Sequence, residues 1–168
     1  MSMGTKAALP VEEYLRTAFP DLDKEYRDGE LVERSLPDNL HSKTQGLLVA
    51  FFVILGRSLP FFTRPGLRLK LRAGLYLIPD VAVFHPAEPE QRIPDTPPFI
   101  VIEVLSLDDK LTKVLEKLAE YRAWGVPHVW LVDPHSKRMY TCDAELVEVS
   151  TLRIPELSVE LTSADIFE

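Results

Sequence analysis

From Phe99 to Leu105 the chain is apolar at every position except Glu103. Such a run suits a strand buried on both faces, as at the centre of a sheet, rather than one with a wet side. Lys110 to Trp124 then reads as a helix, with Leu111, Val114, Leu115, Leu118 and Tyr121 spaced by three and four on one stripe, and Gly125 and Pro127 stop it. His128 to Val132 is apolar again. Strand, helix and strand at these lengths form a parallel crossover, so the expected class is α/β (α+β), with antiparallel hairpins attached to a central mixed sheet.

The remaining segments fit that frame. Val11 to Ala18 reads as a short helix ended by Pro20, and Lys24 to Arg34 as a hairpin turning at Asp28-Gly29. Leu40 to Leu59 is an apolar-rich helix that runs until Pro60. Phe61 to Arg72 and Leu75 to Phe84 read as two strands joined through Ala73-Gly74. Pro86 to Pro98 holds five prolines and reads as a surface loop. Met139 to Thr141 and Leu146 to Val149 suit a further hairpin, bending near Asp143-Ala144. With 168 residues and 46% apolar content, the expectation is a single domain over 1–168.

Composition excludes several classes. The lone Cys142 cannot form an internal disulfide, and no Cys/His cluster has zinc-site spacing, so a reducing cytoplasm is the simplest compartment. Lys6, Glu12, Glu13 and Arg16 interrupt the N-terminal apolar stretches, unlike a secretory signal. The longest apolar run, Leu47 to Leu55, is about half of what a bilayer span needs, so no membrane is implied. A net charge of −7 argues against a general nucleic-acid coat. Charge is unevenly distributed, however. His41 to Ile78 carries Lys43, Arg57, Arg64, Arg68, Lys70 and Arg72 with no acid, which is either a set of solvated faces or a basic track beside an acidic site.

The candidate site follows from the strand order. Asp80 opens the apolar run Val81-Ala82-Val83-Phe84, and Glu103 lies near the exit of the next long strand. If those strands are neighbours, their carboxylates converge and can share a hard divalent cation. Lys117 lies on the returning helix, four residues from Lys113, where an ammonium can orient water or offset phosphate charge. The plain alternative makes Asp80 a turn residue, Glu103 a strand-end acid and Lys117 a snorkelling helix lysine. Glu103 resists it most, because an ionised carboxylate in a two-sided apolar strand costs several kcal/mol unless paired or metal-bound. The hairpin adds Glu30 and Glu33, of which Glu30 could extend the acidic cluster, and His41 could serve as a base or bind phosphate; the plain alternative for each is a solvated turn acid or a helix-end histidine, since isolated residues of these types rarely mark sites.

Longer stretches resemble a known family. Asp28-Gly29-Glu30-Leu31, His41, Pro79-Asp80-Val81-Ala82-Val83, Ile102-Glu103-Val104-Leu105-Ser106, Glu116-Lys117-Leu118-Ala119-Glu120-Tyr121 and Gly125-Val126-Pro127-His128-Val129-Trp130-Leu131-Val132-Asp133-Pro134 occur in family order. This pattern resembles the Uma-type restriction-endonuclease-like proteins, a bacterial branch of the PD-(D/E)XK nuclease superfamily. The resemblance implies a restriction-endonuclease-like core with a central mixed sheet flanked by helices. It implies Asp80 and Glu103 as metal ligands, Glu30 as the hairpin acid, and a motif lysine moved from the position of Leu105 to Lys117. Leu107 stands where Pro is usual and Lys113 where an Asp often lies, which puts a second acidic partner on that helix in question.

The resulting expectation is a Mg²⁺-dependent endonuclease acting on DNA phosphodiesters, with Mn²⁺ able to substitute. Asp80, Glu103, Lys117, Glu30 and His41 would form the catalytic group, and Lys113, Arg64, Arg68 and Lys70 would touch nucleic acid. A homodimer is compatible with cutting both strands. Two competing readings are a catalytically silent nuclease-fold module that binds nucleic acid or protein, and a hydrolase of small phosphoesters.

Overall fold

The computed structural model describes residues 7–19 and 23–168; Lys6 and Pro20 lie outside the described residues. Helix α1 (Val11–Arg16) precedes the hairpin β1 (Glu25–Arg27) and β2 (Glu30–Val32), and helix α2 (Asn39–Leu55) follows. Next come β3 (Phe62–Pro65), β4 (Leu69–Arg72), β5 (Leu75–Leu77) and β6 (Val81–Phe84), then β7 (Ile100–Val104), α3 (Leu111–Trp124) and β8 (His128–Asp133). The chain closes with β9 (Arg138–Cys142), β10 (Leu146–Val149), β11 (Thr151–Ile154), β12 (Val159–Thr162) and α4 (Ser163–Phe167).

Six strands form the central mixed sheet in the order β10-β9-β8-β7-β6-β3. Strands β7 and β8 are parallel, joined by α3 as the crossover, and their neighbours pair antiparallel. A second sheet, β2-β1-β5-β4, is antiparallel throughout. The expected strands Phe61–Arg72 and Leu75–Phe84 are therefore each broken in two, with β3 and β6 in the central sheet and β4 and β5 in the second. Gly66 at φ 58° turns the first pair, and Pro79, which has no N–H for a ladder, marks the break in the second.

Central strands alternate between two cores. Ile100, Ile102 and Val104 face Leu48 and Phe52 of α2, together with Leu152, Leu161 and Ile166 from the C-terminal elements. Val101 instead faces Val114, Leu118 and Tyr121 of α3, and by the period of two Glu103 points the same way. This explains a difference on α3. Leu111 and Leu115 are exposed, whereas Lys117 lies on the inward face beside Val114, Leu118 and Tyr121. The face of α3 turned to the sheet thus carries Lys117 alongside the apolar Val114, Leu118 and Tyr121.

Helix α2 begins at Asp38, whose carboxylate accepts the His41 backbone N–H at 2.8 Å. It ends at Leu55 rather than Leu59. There the chain tightens into shorter-range turns, and the Phe61 carbonyl passes 2.9 Å from where a Cβ on Gly56 would stand. Among the described residues, no helix is long and apolar enough to cross a membrane.

Candidate active site

Three elements bring the acids together. Strands β6 and β7 pair antiparallel with Val81 opposite Ile102, so one step further along the register Asp80 stands opposite Glu103. Asp80 is fixed at its backbone by the Gln45 side chain and the Gly66 N–H, which both donate to its carbonyl, at 2.8 and 3.2 Å. Its Oδ2 accepts the Val104 N–H at 2.7 Å. Its Oδ1 faces Arg34 Nη2 and His41 Nε2, each at 3.3 Å.

Glu103 Oε1 accepts the Tyr121 hydroxyl at 3.0 Å and lies 2.9 Å from Lys117 Nζ. That ammonium also lies 2.9 Å from Glu25 Oε2, which in turn accepts the Ile78 N–H at 2.7 Å. Glu25 thus satisfies a backbone donor at the point where the chain leaves β5 for Pro79 and Asp80. All three acids are buried, and the cost of burying them is offset by Lys117, Arg34 and backbone N–H groups.

The charges follow from these contacts. Burial pushes the Glu103 carboxyl up to about 8; Lys117 opposes the rise, while Asp80 and Glu25 add to it. Burial alone would lower Lys117, but the Glu103 and Glu25 carboxylates reverse that and hold its proton above the usual lysine range. Burial likewise would raise Asp80, yet His41, the Val104 N–H and Arg34 bring it below the ordinary carboxylate value. For His41, burial is outweighed by the hydrogen bond and charge of Asp80, so the imidazolium is favoured. Tyr121, raised well above its usual value by burial and by Glu103, stays a phenol and a donor.

Glu25, Arg34, His41, Asp80, Glu103 and Lys117 line a cavity of about 420 Å³ between the hairpin, the ends of β6 and β7, and α3. Lys113 stands exposed at its lining, as does Glu30. The hairpin acid that reaches Lys117 is Glu25, not Glu30. Glu33 is also exposed and pairs with Lys24. Arg64, Arg68 and Lys70 are absent from the lining: Arg64 pairs with Glu88, Arg68 lies over the Tyr14 ring at 5.0 Å, and Lys70 sits in β4 opposite Tyr76. The basic track beside the acids is instead built from Arg27, Arg34, Lys110, Lys113 and Lys117. Sequence reasoning missed Glu25 and Arg34. Their only signal was a charged residue in or just after a hairpin strand, a signal that Glu30 and Glu33 share.

The cation that the resemblance implies for this donor set is a hard divalent one. Among the described residues no group of three or more His, Cys, Asp or Glu side chains forms a ready cage. Magnesium seldom needs one, since it keeps several waters and takes one or two carboxylates. No described donor forms a hydrogen bond to Glu103 Oε2, and Asp80 Oδ1 is held by the 3.3 Å contacts of Arg34 and His41, which a cation would displace. The residues fit.

Comparison with known proteins bears on the family and the fold. A family model described as "Uma2: Putative restriction endonuclease" matches residues 11–167. A crystal structure from Anabaena variabilis ATCC 29413, described as "a putative nuclease belonging to DUF820", superimposes with a TM-score of 0.80 at 22% identity, covering 94% of this chain and 96% of that one. At that identity it shows the shared fold. A comparison with curated proteins gives no match.

Proposed function

The chain belongs to the Uma2 family, and on that premise we propose that it is a Mg²⁺-dependent endonuclease that hydrolyses DNA phosphodiester bonds, with Mn²⁺ able to substitute. The observation that carries the reading is the facing of Asp80 and Glu103 across β6 and β7, with the Lys117 ammonium 2.9 Å from Glu103. A bound cation would supply Lewis-acid stabilisation of the phosphate and a more acidic water.

The side chains supply the rest. Asp80 Oδ1 and Glu103 Oε2 are the oxygens that would hold the cation. Lys117, fixed between Glu103 and Glu25, presents a permanent positive charge that orients the attacking water or offsets charge building on the phosphate. Glu25 acts as a positioning residue, because its contacts are to Lys117 and the Ile78 N–H. His41, favoured as imidazolium by Asp80, suits binding of a phosphate oxygen better than proton abstraction. Lys113 at the cavity's edge is placed for the flanking backbone of DNA.

Incubation of the purified protein with duplex DNA and Mg²⁺ or Mn²⁺ tests this. Cleavage that EDTA and Asp80→Asn each abolish is the expected result. Absence of cleavage with either metal, or equal cleavage by Asp80→Asn, overturns the reading.

A further inference from the structure

Arg34 occupies an unusual position. Its side chain is largely buried in the cavity, yet its contact with Asp80 is a single one, from Nη2 to Oδ1 at 3.3 Å. A guanidinium has five N–H donors and pairs best in a two-bond fork. Arg27, which also lines the cavity, sits closer to its partner, with one terminal nitrogen donating to Glu120 Oε2 at 2.9 Å and the other 2.6 Å from Oε1. Lys117 is likewise held at 2.9 Å on both sides. Among the described residues, Arg34 is an inward cation with donors to spare, as is His41, whose Nδ1 is buried without a partner.

The Asp80 oxygens are also unequal. Oδ2 is committed to the Val104 N–H at 2.7 Å, so Oδ1 is the atom left to ligate a cation. That is the atom Arg34 shares with His41.

We propose that Arg34 is a place-holding counter-ion for Asp80 in the metal-free protein and the bidentate anchor for a substrate phosphate once Oδ1 is given up. Arg34 releases a weak contact and turns its free donors to a phosphate oxygen pair, for which the planar fork is suited. The two roles have opposite signs: Arg34 competes with the divalent cation and cooperates with the nucleic acid. This inference rests on the metal-dependent reading above.

Its test measures Mn²⁺ binding without DNA, by calorimetry, in wild type, Arg34→Gln and Arg34→Lys, followed by steady-state cleavage of a duplex. Arg34→Gln is expected to bind Mn²⁺ roughly fivefold or more tightly, because a competing charge has gone, while KM for DNA rises about tenfold. Arg34→Lys keeps the charge but not the fork, so its Mn²⁺ affinity stays near wild type while KM rises. It also serves if the Gln variant folds poorly. Arg34→Gln binding Mn²⁺ equally or more weakly, in a protein whose wild type does bind it, overturns this inference alone. A wild type that binds no Mn²⁺ overturns both this inference and the metal-dependent reading.

Discussion

Glu25 and Lys117 meet at 2.9 Å, one from the first strand of the hairpin and the other from the middle of α3. The contact ties the second sheet to the crossover helix of the central sheet, and it does so inside the cavity. Two residues along β1, Arg27 repeats the tie by pairing with Glu120. Hairpin and helix are thus fixed to each other at the lysine that faces Glu103 and again one turn further along α3.

Replacing Glu25 should therefore affect both stability and turnover. In Glu25→Ala the buried Ile78 N–H loses its acceptor and Lys117 loses one of two partners, which should cost about 3 kcal/mol in urea unfolding. With Lys117 less constrained, kcat should fall more than tenfold while KM changes little. An equal loss from Glu30→Ala, at the exposed position, would contradict the assignment of Glu25.

Lys117→Ala leaves two buried carboxylates without their shared cation. The metal-free variant should be less stable by about 3–5 kcal/mol. Mg²⁺ should restore part of that loss, since it binds the folded form and offsets the same charge. DNA cleavage should fall by at least about a hundredfold even in saturating Mg²⁺. Thermal unfolding with and without Mg²⁺, alongside cleavage rates, separates the two effects.

Stability should also depend on pH through Glu103. Its folded-state value is raised from 4.5 to about 8, so the folded protein holds the proton more tightly than the unfolded chain. The associated stability is fully present below about pH 4.5 and is lost as pH rises through about 8. In EDTA the urea midpoint should fall across that window, and Glu103→Gln should flatten the fall. His41, whose value is also raised, acts in the same direction, so the difference between the two proteins is the quantity to measure.

A core substitution provides the contrast. Leu48 on α2 is fully buried against the far side of the central sheet, and Leu48→Ala should cost about 2–5 kcal/mol. Measured well below its unfolding midpoint, that variant should retain wild-type metal affinity, because Leu48 itself is not among the residues that line the cavity.

Much of this arrangement was legible along the chain. The two-sided apolar run Phe99–Leu105, the α3 signal with its Gly125 stop, and the Asp28-Gly29 hairpin are local effects of side-chain spacing and backbone freedom, and each appears in the structure near the place expected. Asp80 and Glu103 stood out for the same reason, as acids bordering or interrupting strands that are otherwise apolar. The splitting of Phe61–Arg72 and Leu75–Phe84 between two sheets did not show, since a strand's apolar pattern is silent about which partner it joins. The segment after Val149, which folds as β11, β12 and α4 against α2, carried no signal strong enough to read.

By itself, then, the sequence determined most of the strands and helices as far as Val149, and marked Asp80 and Glu103 as acids set against apolar strands. Only the tertiary structure decided that Asp80 faces Glu103, that Glu25 rather than Glu30 reaches Lys117, and that Arg34 rather than Arg64 or Arg68 enters the cavity. Local spacing is set by bonded geometry within a few residues. The company a charge keeps is set by strand pairing and helix placement across the whole chain, and in a buried site that company determines its protonation and its chemistry.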